Sequence, residues 1–438
     1  MSERIQNSTS SPCAALEIAS LSDIGMRRTT NQDNFAVSLA ANDEQYHRRG
    51  HLFIVADGMG AHAAGELASK IAVDQIPHLY SKYDDLSAPE ALKKAVIGAN
   101  TEIHRRGQAN DDFHNMGTTC SVLMLVPQGA IVAHIGDSRV YRLRKNLLEQ
   151  LTFDHSLVWE MHQSGQLTRE EMESGKIPKN VITRSLGPYP ECKVDVEGPF
   201  PLQVGDTFLL CSDGLTGPVT DQEIGALLAH LPPKKAARVL VDLANLRGGP
   251  DNITCVIAKV VDPNMATRAD TQPIRLGRTD NSGGQISPIS WGIVIASGLA
   301  IVLFYLITRS WITTSIPAIV FIGGLIWMLK QVISQPGYST VDPGRRFGKG
   351  PYVQVKGGSE QVVADQLKEI ATQLREAGRE QGWDIDWTQF YDRLGSAEDK
   401  VTQQKFDQAI QEFGEAITTL MDQLRNQNGS SSAIDLST

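Results

Sequence analysis

Short apolar runs that end in an aspartate recur along the first half of the chain. Leu52-Phe53-Ile54-Val55-Ala56 runs into Asp57-Gly58, and Thr207-Phe208-Leu209-Leu210-Cys211 runs into Ser212-Asp213-Gly214. Residues 120–126 and 130–135 flank a Pro127-Gln128-Gly129 turn and predict a hairpin. Residues 253–261 are apolar and β-branched and follow Asp251-Asn252. Runs this short, bounded by turn residues, predict buried strands. Helical spacing appears in residues 65–76 and again in 89–105, where Leu92, Val96, Ala99 and Ile103 share one face. Strands outnumber helices and are joined by hairpin turns, so the pairing is expected to be antiparallel. Residues 154–187 are polar and helical with few core positions, which predicts a flap over a site. Residues 1–16 are expected to be a flexible lead-in and 17–262 an α+β domain.

Beyond it the pattern changes. Residues 263–290 are rich in Arg, Thr, Asp, Gly, Ser and Pro and read as a linker. Residues 291–307 and 316–333 are apolar runs of ~17–18 residues, with Trp291, Trp311 and Trp327 near their ends. They predict a two-helix transmembrane hairpin over 291–333. Arg268, Arg275 and Arg278 precede it, and Lys330, Arg345, Arg346 and Lys349 follow. No apolar core of signal-peptide length opens the chain. Placement at the inner (cytoplasmic) membrane follows, with both terminal domains in the cytoplasm. A second linker is expected at 334–358. In 359–425, Val363, Leu367, Ile370 and Leu374 form one stripe, and Phe406, Ile410, Phe413, Ile417, Leu420 and Leu424 a second. These predict a small all-α domain, with a disordered tail at 426–438.

A formal charge of −9 and the lack of any dense Lys/Arg run argue against nucleic acid as partner. Five widely spaced cysteines without a Cys-x-x-Cys pair argue against a disulfide framework or a zinc site. What stands out is aspartate beside glycine at strand ends. Phosphate-ester hydrolysis needs an activated water and a counter-charge for the phosphoryl group, and two hard divalent ions supply both. Such ions take carboxylates, backbone carbonyls and waters. One Asp-Gly at a strand end is an ordinary turn. Asp57-Gly58, Gly136-Asp137, Asp213-Gly214 and Asp251-Asn252 together, each at the edge of a buried strand, predict a shared metal site.

The segment Gly25-Met26-Arg27-Arg28-Thr29-Thr30-Asn31-Gln32-Asp33 resembles the first motif of the metal-dependent protein phosphatases, the type 2C or PPM family. The later motifs follow in order: Asp57-Gly58-Met59-Gly60, Gly117-Thr118-Thr119, Gly136-Asp137-Ser138-Arg139, Leu151 to Ser156, Thr183 to Gly187, Ser212-Asp213-Gly214 and Asp251-Asn252. The resemblance covers residues 15–262. It implies two stacked antiparallel sheets flanked by helices (αββα layers) and two Mn²⁺ or Mg²⁺ ions, with a weaker third. By motif, Asp57 bridges the pair, the Gly58 carbonyl completes one shell, Asp213 and Asp251 hold the other ion, and Asp137 serves the third. Arg28 grips the phosphate, with Arg27 as its alternative, and Asp33 supports the water or caps a turn. His62 is either the general acid for the leaving oxygen or the start of a helix; His155 is structural or part of the flap base. A metal-activated water then attacks phosphorus in line, without a phosphoenzyme. The substrate is a phosphorylated protein, with a Ser/Thr kinase or its targets as partners, and the C-terminal helices bind a regulatory protein. The competing reading is a scaffold that only binds phosphoproteins. No Cys-x5-Arg segment and no Gly-x4-Gly-Lys-Ser/Thr cradle is present to support other phosphate chemistries.

Overall fold

The structure is a computed structural model. It describes residues 15–60, 63–168, 171–172, 177–178, 181–268, 271, 275–279, 295–296, 299, 301–303, 306–307, 321–322, 337–340, 346–356, 360–383 and 385–427. The chain divides into two compact units, one of residues 1–272 with 344–438 and one of residues 273–343.

In chain order the larger unit begins with β1 (Leu16–Asp23), β2 (Asp33–Ser38), α1 (Asp43–Arg49), β3 (His51–Met59), α2 (Ala64–Lys82) and α3 (Ala88–Ala109). There follow β4 (Gly117–Thr118), β5 (Cys120–Val126), β6 (Gly129–Ile135), β7 (Arg139–Arg144), β8 (Leu147–Gln150) and α4 (Leu157–Gln163). The sandwich closes with β9 (Asp195–Phe200), β10 (Thr207–Cys211), α5 (Asp213–Thr216), α6 (Asp221–His230), α7 (Pro233–Leu246) and β11 (Ile253–Val260). In the smaller unit β12 (Arg275–Thr279) pairs antiparallel with β13 (Gly337–Thr340). The larger unit resumes with β14 (Val353–Lys356), α8 (Glu360–Gln381), α9 (Trp387–Thr402) and α10 (Phe406–Gln427).

Two antiparallel sheets form the frame. One runs β1-β11-β10-β7-β8-β14, the other β2-β3-β5-β6-β9 with β4 added on β3. The continuous apolar runs have a simple cause, because both faces of these strands are covered. Phe208 and Leu210 of β10, with Val256 and Ala258 of β11, point inward to meet Phe53, Leu123 and Val132 of the second sheet. Leu209, Cys211, Cys255 and Ile257 point outward into a second core with α6, α7 and the C-terminal helices. The α+β sandwich with flanking helices is therefore present, as is an all-α C-terminal region.

Within that region α10 turns Ile410, Phe413, Ile417 and Leu420 into the same core as Val239, Leu240 and Leu243 of α7. Residues 353–356 extend the first sheet by pairing with β8, Val353 opposite Gln150.

The membrane hairpin is corrected. Among the described residues no helix is long and apolar enough to cross a membrane. The expected spans at 291–333, and the inner-membrane placement built on them, fall with that finding. Hydropathy measures how apolar a run is, but spanning requires that the run also form one unbroken helix of sufficient length. Much of 291–333, with 1–14 and 428–438, lies outside the described residues.

Candidate active site

The site forms where strand ends from both sheets meet. Antiparallel register places Asp33 of β2 directly opposite Asp57 of β3. From the other sheet, Ser212 follows β10, and its hydroxyl donates to Asp33 Oδ2 at 2.7 Å. The same hydroxyl accepts the Thr254 N–H at 3.0 Å. Asp213, the next residue, lies near enough to Asp57 for its charge to raise the Asp57 carboxyl. Thus one serine ties the sheets together and sets two aspartates side by side.

The Gly-Thr-Thr motif holds the Asp57 backbone. Thr118 Oγ1 donates to the Asp57 carbonyl at 2.8 Å, the Thr119 N–H donates to it at 2.9 Å, and Asp57 N–H donates to Thr119 Oγ1 at 2.9 Å. Thr119 Oγ1 also lies 2.7 Å from Ser138 Oγ, beside Asp137. Gly58 is required by close approach, since a Cβ there would lie 2.1 Å from the Gly65 carbonyl oxygen at the start of α2. Its N–H donates to Gln32 O at 3.1 Å.

The Arg28 loop is clasped by Asn252. Its Nδ2 donates to Ile24 O at 2.8 Å and to Thr30 O at 3.0 Å, while its Oδ1 accepts the Gln32 N–H at 2.8 Å. Arg28 Nη2 reaches Asp251 Oδ2 at 2.7 Å, with the Arg28 side chain about half exposed at 48%. Arg28 therefore stands over the carboxylates and remains open to solvent. His62 lies outside the described residues.

The carboxylates are crowded and short of partners. Burial, with Asp213 and Asp251 nearby, pushes Asp33 up to about 7 despite the Ser212 hydrogen bond. Burial and the surrounding aspartates, Asp33 and Asp213 first, hold Asp57 well above the usual carboxylate range. Burial and Asp213 raise Asp137 to about 8, and burial and Asp251 raise Asp213. Buried oxygens Asp33 Oδ1, Asp137 Oδ1 and Asp213 Oδ1 have no hydrogen-bond partner. Such a cluster calls for positive charge, and a divalent ion would reverse the upward shifts. Among the described residues no three His, Cys, Asp or Glu side chains make a metal cage by themselves. Hard ions that keep several waters and backbone oxygens need only one or two carboxylates each, so this donor set fits Mg²⁺ or Mn²⁺.

Sequence reasoning left Ser212, Thr119 and Asn252 without roles, although all three lie in the motifs it found. It also left unpaired Arg139 and Asp154, which form a bidentate bridge at 2.7–3.1 Å. The available signal was their residue type. A buried hydroxyl or amide beside an aspartate must find a partner, and arginine is the side chain that matches a carboxylate fork. His155 is fully buried, accepts the Gly136 N–H at 3.1 Å through Nδ1 and meets Asp195 Oδ2 at 3.0 Å through Nε2.

Comparison with known proteins defines the class. Residues 26–243 match the protein phosphatase 2C family. Protein phosphatase PhpP of Streptococcus pneumoniae is 39% identical over 251 residues, covering 56% of this chain and 98% of that protein. Serine/threonine protein phosphatase PstP of Mycobacterium tuberculosis is 34% identical over 278 residues, 62% of this chain and 50% of PstP. A crystal structure of the PstP catalytic domain with two manganese ions is 35% identical, covers 56% of this chain and 99% of that one, and superposes with a TM-score of 0.47. The chain belongs to the protein phosphatase 2C family. It is a protein serine/threonine phosphatase.

Proposed function

We propose that this chain hydrolyses phosphoserine and phosphothreonine in proteins in a reaction dependent on Mn²⁺ or Mg²⁺. The observation that carries the metal requirement is the group of buried aspartates with unpartnered oxygens. Asp57, Asp213 and Asp251, with the Gly58 carbonyl, would hold two ions, and Asp137 a weaker third. Bound there, the ions would supply a nucleophilic water at neutral pH and counter-charge for the phosphoryl group.

The chain's own groups do the rest. Arg28 donates paired N–H bonds to the phosphate, a geometry suited to guanidinium. Asp251 holds Arg28 until substrate arrives, through the 2.7 Å contact. Asn252 fixes the loop so that little conformational freedom is lost on binding. Ser212 orients Asp33, whose second oxygen is left to accept from a water. His62 is assigned the proton donor role for the leaving oxygen. The physiological substrate is proposed to be a Ser/Thr kinase or its targets, with the C-terminal helices engaging a regulatory protein.

The test is turnover of a phosphothreonine peptide by the full chain with Mn²⁺, with Mg²⁺ and with EDTA, beside Asp213→Asn. Activity abolished by EDTA, restored by added metal and lost in the variant is expected. A folded, metal-supplied chain that binds the peptide without turnover would favour the scaffold reading instead.

A further inference from the structure

The cavity that opens at Asp137 and Asp213 extends past the aspartates. It has a volume of about 630 Å³ and runs between α4 and the start of β14, where Phe153, Val158, Trp159, Met172 and Tyr352 line it. Tyr352 lies beyond residues 26–243, the part matched by the family. One wall of a groove continuous with the candidate active site is therefore supplied by the chain's C-terminal segment.

That wall is firmly held. Tyr352 N–H donates to Gln150 O at 2.8 Å, and the next residue pairs with Gln150 in the sheet. The Tyr352 hydroxyl donates to Glu197 Oε1 at 2.5 Å, and Glu197 also accepts the Gly350 N–H at 2.9 Å. The three rings form one cluster. Phe153 meets Trp159 edge to face with centroids 5.4 Å apart, and its centroid is also 5.4 Å from that of Tyr352.

Beyond Asp137 and Asp213, the carboxylates lining the same groove are already engaged. Asp154 is bridged by Arg139, and Asp221 accepts the Tyr141 hydroxyl at 2.9 Å and lies 3.8 Å from Arg139. The Arg139 guanidinium lies 5.9 Å from the Trp159 ring centroid. Val158 and most of Phe153 are buried behind the groove, and the half-buried Trp159, Tyr352 and Met172 leave apolar surface for a ligand. Rigid aromatic surface binds apolar groups at low entropic cost.

We propose that Tyr352, Trp159 and Phe153 form a subsite that receives a large apolar side chain close to the phosphorylated residue of a protein substrate. The inference rests on the phosphatase reading and deepens it. Tyr352 is then a specificity-determining residue supplied from outside the family-matched region.

The test uses the full chain with Mn²⁺ and three substrates: para-nitrophenyl phosphate, a phosphothreonine peptide flanked by Phe and Leu, and the same peptide flanked by Ala. The wild type is expected to show a lower KM for the Phe/Leu peptide. Tyr352→Ala should raise that KM about tenfold, with little change in kcat, and bring it to the Ala-peptide value. Tyr352→Phe, which keeps the ring, should retain the preference. Trp159→Ala tests the opposite wall and should also erase the preference, which covers the case in which Tyr352→Ala does not fold. Equal KM for the two peptides in the wild type, or retention of the preference in both alanine variants, overturns the subsite. Absence of turnover on all three substrates overturns the phosphatase reading itself, and the subsite with it.

Discussion

Arg425 in α10 donates to Asp242 in α7, and this contact joins the C-terminal helices to the catalytic half. Asp242 is fully buried, and Arg425 keeps only 14% of its side chain exposed. A second guanidinium, that of Arg238, lies 3.4 Å from the other carboxylate oxygen. Burial, opposed by both arginines, lifts Asp242 from 3.8 to about 7. A carboxyl raised on folding binds more protons in the folded chain than in the unfolded one between these two values. Its contribution to stability is thus greatest at low pH and declines as pH climbs from about 4 through 7. Above 7 the buried group is charged and depends on its arginines.

Arg425→Ala should therefore be mild in acid and severe in base. Below the transition a neutral carboxyl loses one hydrogen bond, worth about 1 kcal/mol. Above it, breaking a buried pair costs about 3–5 kcal/mol, and the remaining Arg238 places the loss near the lower figure, about 3 kcal/mol. Urea denaturation of the full chain near pH 6 and near pH 8.5 reads both values. In an Asp242→Asn background the same arginine change should cost much less, since its charged partner is gone. An equal loss at the two pH values, or simple additivity in the double variant, would refute the reasoning.

Other predictions follow from single contacts. Gly58→Ala forces a Cβ to within 2.1 Å of the Gly65 oxygen, so β3 and α2 must separate; peptide turnover should fall at least tenfold and the melting temperature should drop, and unchanged kinetics would rule out the close approach. Phe413 is fully buried in the core shared by α7 and α10, and Phe413→Ala should cost about 3–5 kcal/mol in denaturant titration. His51 is buried and accepts the Ala40 N–H at 3.0 Å through Nδ1, and burial lowers it from 6.5 to about 4. The unfolded chain takes up a proton that the folded chain refuses, so this stability is intact above pH 6.5 and lost as pH falls toward 4, by about 3 kcal/mol at the end. His51→Gln should flatten that part of the pH profile, and a profile of unchanged slope would show that His51 does not contribute.

Much of the sandwich was legible because a strand covered on both faces has no polar alternation to hide it. Phe208-Leu209-Leu210-Cys211 sends alternate residues into two different cores, yet reads as one run. The aspartates were legible for a related reason, since each ends such a run. Their convergence was not legible. Ser212 and Asp33 are 179 residues apart, and nothing in either local pattern says that the hydroxyl of one meets the carboxylate of the other. Residues 353–356 were read as linker because Val-Gln-Val-Lys is too short to carry a strand signal, and its structure comes from the open edge of β8. At 291–333 the same reliance on apolar runs misled, because a run's hydropathy does not establish the length or continuity of a helix.

The docking of the C-terminal helices left one trace in the sequence that spacing alone does not interpret. A helix lying on a sheet needs one apolar stripe and leaves a polar face to water. The middle of α7 does not do this: Val239, Leu240, Val241, Asp242 and Leu243 are consecutive, and all are buried. Consecutive apolar positions on a helix point all the way round it, so a second surface must cover the side that the sheet does not reach. An aspartate inside such a stretch sharpens the requirement, because a buried carboxylate needs a cation from the covering element. The stripe of α10 supplies the apolar cover through Ile410, Phe413, Ile417 and Leu420, and Arg425, further along the same helix, supplies the charge. The stripe on α10 and the two-sided burial of α7 are thus halves of one interface. Either could be read from the sequence as a surface in want of a partner, but only the charge pair identifies them as partners of each other.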